Sequence, residues 1–169
     1  MKKITIHTLV QLALLVAVEI VLSRFCSINA WNTKIGFNFL PTALAAILYG
    51  PFCAAIVAAL GDFLGAVLFP IGPYFPGFTI TAFLTGLLFG VFLRKDPSIF
   101  RICACVAVKE LVLGLLLNTF WLSFLYKSPF FPLFLSRIFP QCVVLIVIEF
   151  LLLRVLVRTV RVHGRGLLT

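Results

Sequence analysis

A few charged and polar side chains stand where an apolar chain would not hold them without cause. Asp62 lies in "GDFLGAVLFPIGPYFPGFTITAFLTG", Gly61 to Gly86, a run that then gathers Pro70, Pro73 and Pro76 with Gly72 and Gly77 into a short break. An ionised side chain at the centre of a bilayer costs roughly 2.5 to 3.5 kcal/mol on insertion scales, so Asp62 needs a partner or a wet cavity. Glu19 and Arg24 close a first apolar run, and Lys34 and Asn38 flank the start of the second. Asn118 and Trp121 are three apart, with Gly114 four before Asn118, so a helix puts all three on one face; Arg137 and Gln141, four apart, share another. Pro140 between them removes a backbone donor and frees an upstream carbonyl. "FPGFT" reads as a helix start whose open amides suit an anion. The chemistry these types support is non-covalent capture of a negatively charged molecule supplied from outside.

The motifs of bond-making chemistry are missing. There is no Gly-x-x-x-x-Gly-Lys-[Ser/Thr] loop, no Gly-x-Ser-x-Gly, no His-Glu-x-x-His and no clustered acidic pair for a metal-dependent transferase. Cys103 and Cys105 are too close to form a zinc pair without further ligands, and His7 and His163 lie near the chain ends. The five cysteines are expected to be buried free thiols, with no metal and no cofactor.

The elements that must position these residues are membrane helices. Of 169 residues 63% are hydrophobic and 11% charged, and the mean hydropathy is +1.21. "LVQLALLVAVEIVL", "VLGLLLNTFWLSFL" and "CVVLIVIEFLLL" are apolar all round, which no soluble amphipathic helix is. A helix needs about 20 residues to cross the hydrocarbon, and shorter pieces are tolerated inside a bundle. Six spans are expected: Thr5 to Phe25, Phe37 to Tyr49, Phe52 to Phe69, Gly77 to Leu93, Ile99 to Tyr126 and Pro132 to Val157. Gly50 and Pro51 divide the second from the third, since a single helix there would run ~50 Å. The first run is too long and too acidic for a signal peptide and reads as a retained helix.

The formal charge of +9 does not point to nucleic acid, because the basic residues cluster at the termini and in one loop. Lys2, Lys3, Arg94, Lys95, Arg101, Arg154, Arg158, Arg161 and Arg165 fall on one face, which the positive-inside rule makes cytoplasmic, with both termini. Arg24, Lys34, Lys127 and Arg137 remain on the outer side and need another reason. Arg24 and Lys127 admit a snorkelling role. Asp62 and Glu149 read as structural, capturing polar partners between helices. Lys109 and Glu110 are expected near the cytoplasmic start of their helix, pairing or snorkelling. Trp121 fits a headgroup belt or a pocket wall, and Arg137, among Phe, Leu, Ile and Pro, is the hardest to dismiss.

These stretches resemble the substrate-binding S components of energy-coupling factor vitamin transporters, in particular the folate branch. The likeness is carried by "KIGFNFLPTALAAILYGPFCAAIVAALGDFLGAVLFPIGPYFPGFTITAFLTGLLFG", Lys34 to Gly90, together with "LNTFWLSFLY" and "LSRIFPQ". "LFP.G..FPGFT" is specific to the folate branch. The resemblance implies an all-α integral membrane protein, a six-helix bundle in one domain over residues 1–169, with an outward-facing ligand pocket. It implies folate or reduced folates as ligand, a transmembrane T component and two cytoplasmic ATPases as partners, and a bacterial plasma membrane as location.

On that reading Glu19, Arg24, Lys34, Phe75, Thr79, Asn118, Trp121, Arg137 and Gln141 bind the ligand. The two carboxylates of folate suit Arg24, Lys34 or Arg137, and its flat ring suits Trp121 or Phe75 with Asn118, Gln141 or Glu19. Ala13 and Ala17 are spaced as in the family's Ala-x-x-x-Ala coupling motif and are assigned to the partner interface. An S component for riboflavin or thiamine and a self-contained facilitator are the rival readings. A channel would need a continuous polar path that the inner half lacks, and a small membrane enzyme would need a catalytic constellation.

Overall fold

The computed structural model describes residues 5–30, 33–94 and 98–164. The elements are α1 (Ile6–Arg24), a hairpin of β1 (Ser27–Ala30) and β2 (Thr33–Gly36), α2 (Phe39–Tyr49), α3 (Pro51–Leu68) and α4 (Pro76–Leu93). α5 (Ile99–Val108) continues through a π-helical segment (Lys109–Leu117) into α6 (Asn118–Tyr126), and α7 (Phe130–Phe139) through a second one (Pro140–Leu145) into α8 (Ile146–Gly164). α1, α3 and α4 are each long and apolar enough to cross a membrane. α2, with 11 residues, spans only ~16 Å and sits packed among the others.

The break at Gly50 is set by backbone geometry. Its φ of 94° lies in the left-handed region, where glycine alone is unstrained, and the residue both ends α2 and precedes Pro51 at the first position of α3. α3 and α4 then pack with almost nothing between them. A Cβ on Gly86 would fall 2.5 Å from the Ala54 carbonyl oxygen, and one on Gly90 would overlap Pro51. Gly61 and Gly65, one turn apart on α3, do the same for α1: a Cβ on the first would lie 2.7 Å from Glu19 Cδ and on the second 3.0 Å from Arg24 Nε. The glycine of "GDFLGA" is thereby explained as helix contact within the bundle.

Three features differ from the expectation. The stretch between α1 and α2 is an antiparallel ladder pairing Ser27 with Gly36 and Ala30 with Thr33, because it is too polar to extend either helix. The last helical tract starts at Phe130 and runs to Gly164, beyond both expected bounds. The two π segments are legible in no 3.6-residue pattern; they pack against each other and carry Lys109, Glu110, Gly114 and Gln141. π turns are rare and are found mostly at functional sites.

The apolar core gathers at one end, where Ala43, Ala46, Ala54, Val57, Phe89, Leu93, Ile102, Cys105, Leu153 and Val157 pack together. Arg94, Arg154 and Arg158 stand next to these residues in sequence. The other end of the bundle is hollow.

Candidate functional site

The hollow end is a cavity of about 480 Å³, in the range that small-molecule sites occupy. Its wall is assembled from the C-terminal ends of α1 and α3, the break after α3, the starts of α2 and α4, both π segments, α6, α7 and α8. α2 and α4 begin there, so their positive dipole ends face the opening.

The floor is a chain of charged side chains joining the last two helical tracts. Lys109 Nζ pairs with both Glu110 Oε1 and Glu149 Oε1 and lies 5.9 Å from the centre of the Phe39 ring. Gln141 Nε2 donates to Glu110 Oε2 at 2.5 Å, and Gln141 Oε1 accepts from Arg137 Nη2 at 3.5 Å. Arg137 Nη1 donates to Thr119 Oγ1 at 3.2 Å. Glu110, Glu149, Thr119, Gln141 and Arg137 are all buried. Buried charges are tolerated when paired and hydrogen-bonded, and here the acids and bases alternate along the ladder. Gly114 makes room for it: a Cβ there would overlap the Gln141 amide.

The opposite wall belongs to α1 and α3. Glu19 is 2% exposed and accepts from Thr42 Oγ1 at 3.1 Å. Asp62 Oδ2 accepts from Thr79 Oγ1 at 2.8 Å, and Thr79 in turn touches Tyr74 Oη at 3.2 Å. Near the opening Phe75 packs at 5.4 Å from Trp121 and 5.9 Å from Phe124, ring centre to ring centre, and Trp121 Nε1 donates to Thr81 Oγ1 at 3.2 Å. Arg24 Nε, Arg137 Nε and Asn118 Oδ1 are buried polar atoms with no hydrogen-bond partner among the described residues. Native proteins rarely leave such atoms unpaired, so the wall is incomplete as a purely structural unit.

The structure thus brings six of the residues singled out from sequence to one cavity: Glu19, Arg24, Phe75, Asn118, Arg137 and Gln141. Thr79 and Trp121 stand behind the wall, Thr79 holding Asp62 and Trp121 backing Phe75. Asn118 and Gly114 share the cavity face as the spacing implied, whereas Trp121 turns toward Phe75 and Thr81. Lys34 stands on β2 opposite Asn29, two residues before Gly36 of the cavity wall. Ala13 and Ala17 lie on the exposed face of α1.

Sequence reading misplaced Lys109 and Glu110. They pair, as expected, but ten residues into their helical tract, roughly 15 Å from its start at 1.5 Å per residue, and they line the cavity instead of snorkelling. Asp62 and Glu149, read as structural, line it as well. The available signal was the rarity of acids: each of these four is an acid or base inside an apolar run. The thiols also depart from expectation, since Cys105 is buried but Cys26 and Cys103 are exposed. Among the described residues no group of His, Cys, Asp and Glu could hold a metal ion.

Comparison with known proteins gives one answer on family. Residues 3–158 match the profile of the family described as "ECF-type riboflavin transporter, S component". A "Folate transporter FolT" of Clostridium novyi (strain NT) is 37% identical over 144 residues, covering 85% of this chain and 83% of that protein. A protein of the same description from Leuconostoc mesenteroides subsp. mesenteroides is 31% identical over 144 residues, covering 83% and 77%. A solved structure described as "Crystal structure of FolT bound with folic acid" matches with a TM-score of 0.86 at 30% identity, over 92% of this chain and 95% of the other. The matched span includes every residue of the cavity wall, and the chain accordingly belongs to the ECF-type riboflavin transporter S component family, whose members are membrane transport subunits and not enzymes.

Proposed function

We propose that this chain is the folate-binding S component of an energy-coupling factor transporter. It captures folate or a reduced folate outside the cell and delivers it in association with a transmembrane T component and two cytoplasmic ATPases. It sits in the bacterial plasma membrane as one domain over residues 1–169, crossing six times with both termini cytoplasmic, and it needs no cofactor. The observation that carries the ligand is the pair Arg24 and Arg137, two guanidinium groups on one cavity, each with a buried Nε that has no hydrogen-bond partner among the described residues. The glutamate tail of folate carries two carboxylates, and charge-assisted hydrogen bonds to Arg are the strong kind.

Phe75 offers a ring face held by Trp121, while Asn118, Gln141 and Glu19 offer the mixed donors and acceptors that a pterin edge requires. Thr79 is assigned to holding Asp62, and Lys34 to the mouth from its place on β2. Ala13 and Ala17 are assigned to the T component, because small residues four apart on an exposed helix face let another helix approach closely.

Riboflavin is the second reading, favoured by the description of the matched family. Riboflavin has no carboxylate, so it would offer neither buried Nε a charged acceptor. Titration of the purified protein in detergent, followed by tryptophan fluorescence, separates the two. Folate is expected to quench saturably and riboflavin and thiamine to leave the signal unchanged; saturable riboflavin binding without folate binding would reverse the assignment.

A further inference from the structure

Four carboxylates line the cavity, although the whole chain has only five acidic residues. They are Glu19 on α1, Asp62 on α3, Glu110 on the first π segment and Glu149 on α8. Three cations face them: Arg24 on α1, Lys109 on the first π segment and Arg137 on α7. The phenols of Tyr74 and Tyr126 are the other acid–base side chains of the described wall. With every acid ionised, four negative charges against three positive ones leave an excess of one negative charge.

A dianionic ligand would bring that site to three unbalanced negative charges in a place of low dielectric. One further cation at the mouth would still leave two. Like charges confined away from water disfavour the charged form of at least one partner, and the relief available to carboxylates is to bind a proton. The four are not equivalent in this respect. Glu110 and Glu149 both pair with Lys109, and Asp62 accepts a hydroxyl hydrogen bond at the less buried end. Glu19 is 2% exposed, has Thr42 as its hydrogen-bond donor, and among the described residues makes no ion pair. Gly61 of α3 leaves its carboxyl room that a Cβ would fill, and Asp62, a second acid, is next in the chain.

We propose that the cavity takes up a proton from solvent together with its anionic ligand, and that Glu19 carries it in the loaded state. This rests on the reading that the ligand is folate or another dianion. The sign follows from linkage: if the loaded protein holds one more proton than the empty one, affinity falls as pH rises, by about tenfold in Kd per pH unit at the limit. Glu19 is then a neutral donor beside the ligand, which an ionised carboxylate could not be.

Folate binding by the wild-type protein and by Glu19→Gln, titrated calorimetrically between pH 6.5 and 9 in two buffers of different ionisation heat, tests this. In the wild type the uptake should rise with pH toward one proton per folate and Kd should climb accordingly. Glu19→Gln, locked in the neutral form, should show one proton fewer and a Kd slope flatter by that decade per unit. Any titration of folate itself is common to both proteins and cancels. Equal proton counts and equal slopes with folate still bound would overturn the assignment while leaving the folate reading intact. Absence of saturable folate binding at every pH would overturn the folate reading and this with it. If Glu19→Gln does not fold, the wild-type count decides, and no uptake anywhere in the range overturns the proposal.

Discussion

Gln141 donates to Glu110 across the contact of the two π segments, with 2.5 Å between Nε2 and Oε2. The same amide accepts from Arg137, so one neutral side chain relays between a buried acid and a buried base. Replacing it with leucine takes a partner from both at once. A buried group left unsatisfied costs about 1–3 kcal/mol, more when charged, so Gln141→Leu should lower the thermal midpoint of the purified protein. Gly114→Ala should do the same through the crowded amide, and the double variant Gly114→Ala/Gln141→Ala should recover part of the loss. Equal midpoints for all three would remove the relay from the account.

Lys109 is the cation between two buried carboxylates. Breaking a buried pair by deleting one partner typically costs about 3–5 kcal/mol, because a charge stays behind uncompensated. Lys109→Met is expected to destabilise the protein in that range. Neutralising both acids as well, in Lys109→Met/Glu110→Gln/Glu149→Gln, should restore most of it. Denaturation curves of the single and triple variants in the same detergent provide the check.

Arg137 is 5% exposed, and its Nη1 and Nη2 are used by Thr119 and Gln141, leaving Nε for something else. A hydrogen bond to a charged group contributes about 1.5–3 kcal/mol, so Arg137→Ala should weaken folate binding at least tenfold. Unchanged affinity in a folded variant would assign Arg137 to structure alone.

Ala13 and Ala17 face outward on α1, away from the cavity. Ala13→Trp/Ala17→Trp should leave folate binding by the isolated protein nearly intact and abolish ATP-dependent uptake when the T component and ATPases are present. Normal uptake by this variant, or folate transport into liposomes by the protein alone, would rule out the coupling mechanism.

Much of this was legible in the sequence because apolar runs and Gly-Pro punctuation are strong local signals. Gly50-Pro51 divides α2 from α3 as its types require, and Pro76 opens α4. Arg137 and Gln141 were brought together by spacing alone, one turn apart. The hairpin was missed because four-residue strands leave too short a pattern to register. The π segments were missed for a different reason: their wider turn follows no 3.6-residue period, and sequence alone sets Lys109 and Glu110 near the cytoplasmic start of their helix. No spacing rule joins Lys109 to Glu149, 40 residues away; only the packing of two helical tracts does.

The glycine contacts between α3 and α4 make one end of the molecule solid, while charged ladders span a hollow at the other. Opening free energy in a folded protein varies with local packing, and segments with few apolar contacts open first. Backbone amides of α6 and α7 should therefore exchange with deuterium well before those of α3 and α4, and cargo in the hollow should slow the first pair while leaving the second unaffected. The bundle would then behave as a stiff handle carrying a soft cup, with compliance kept where a small molecule must enter.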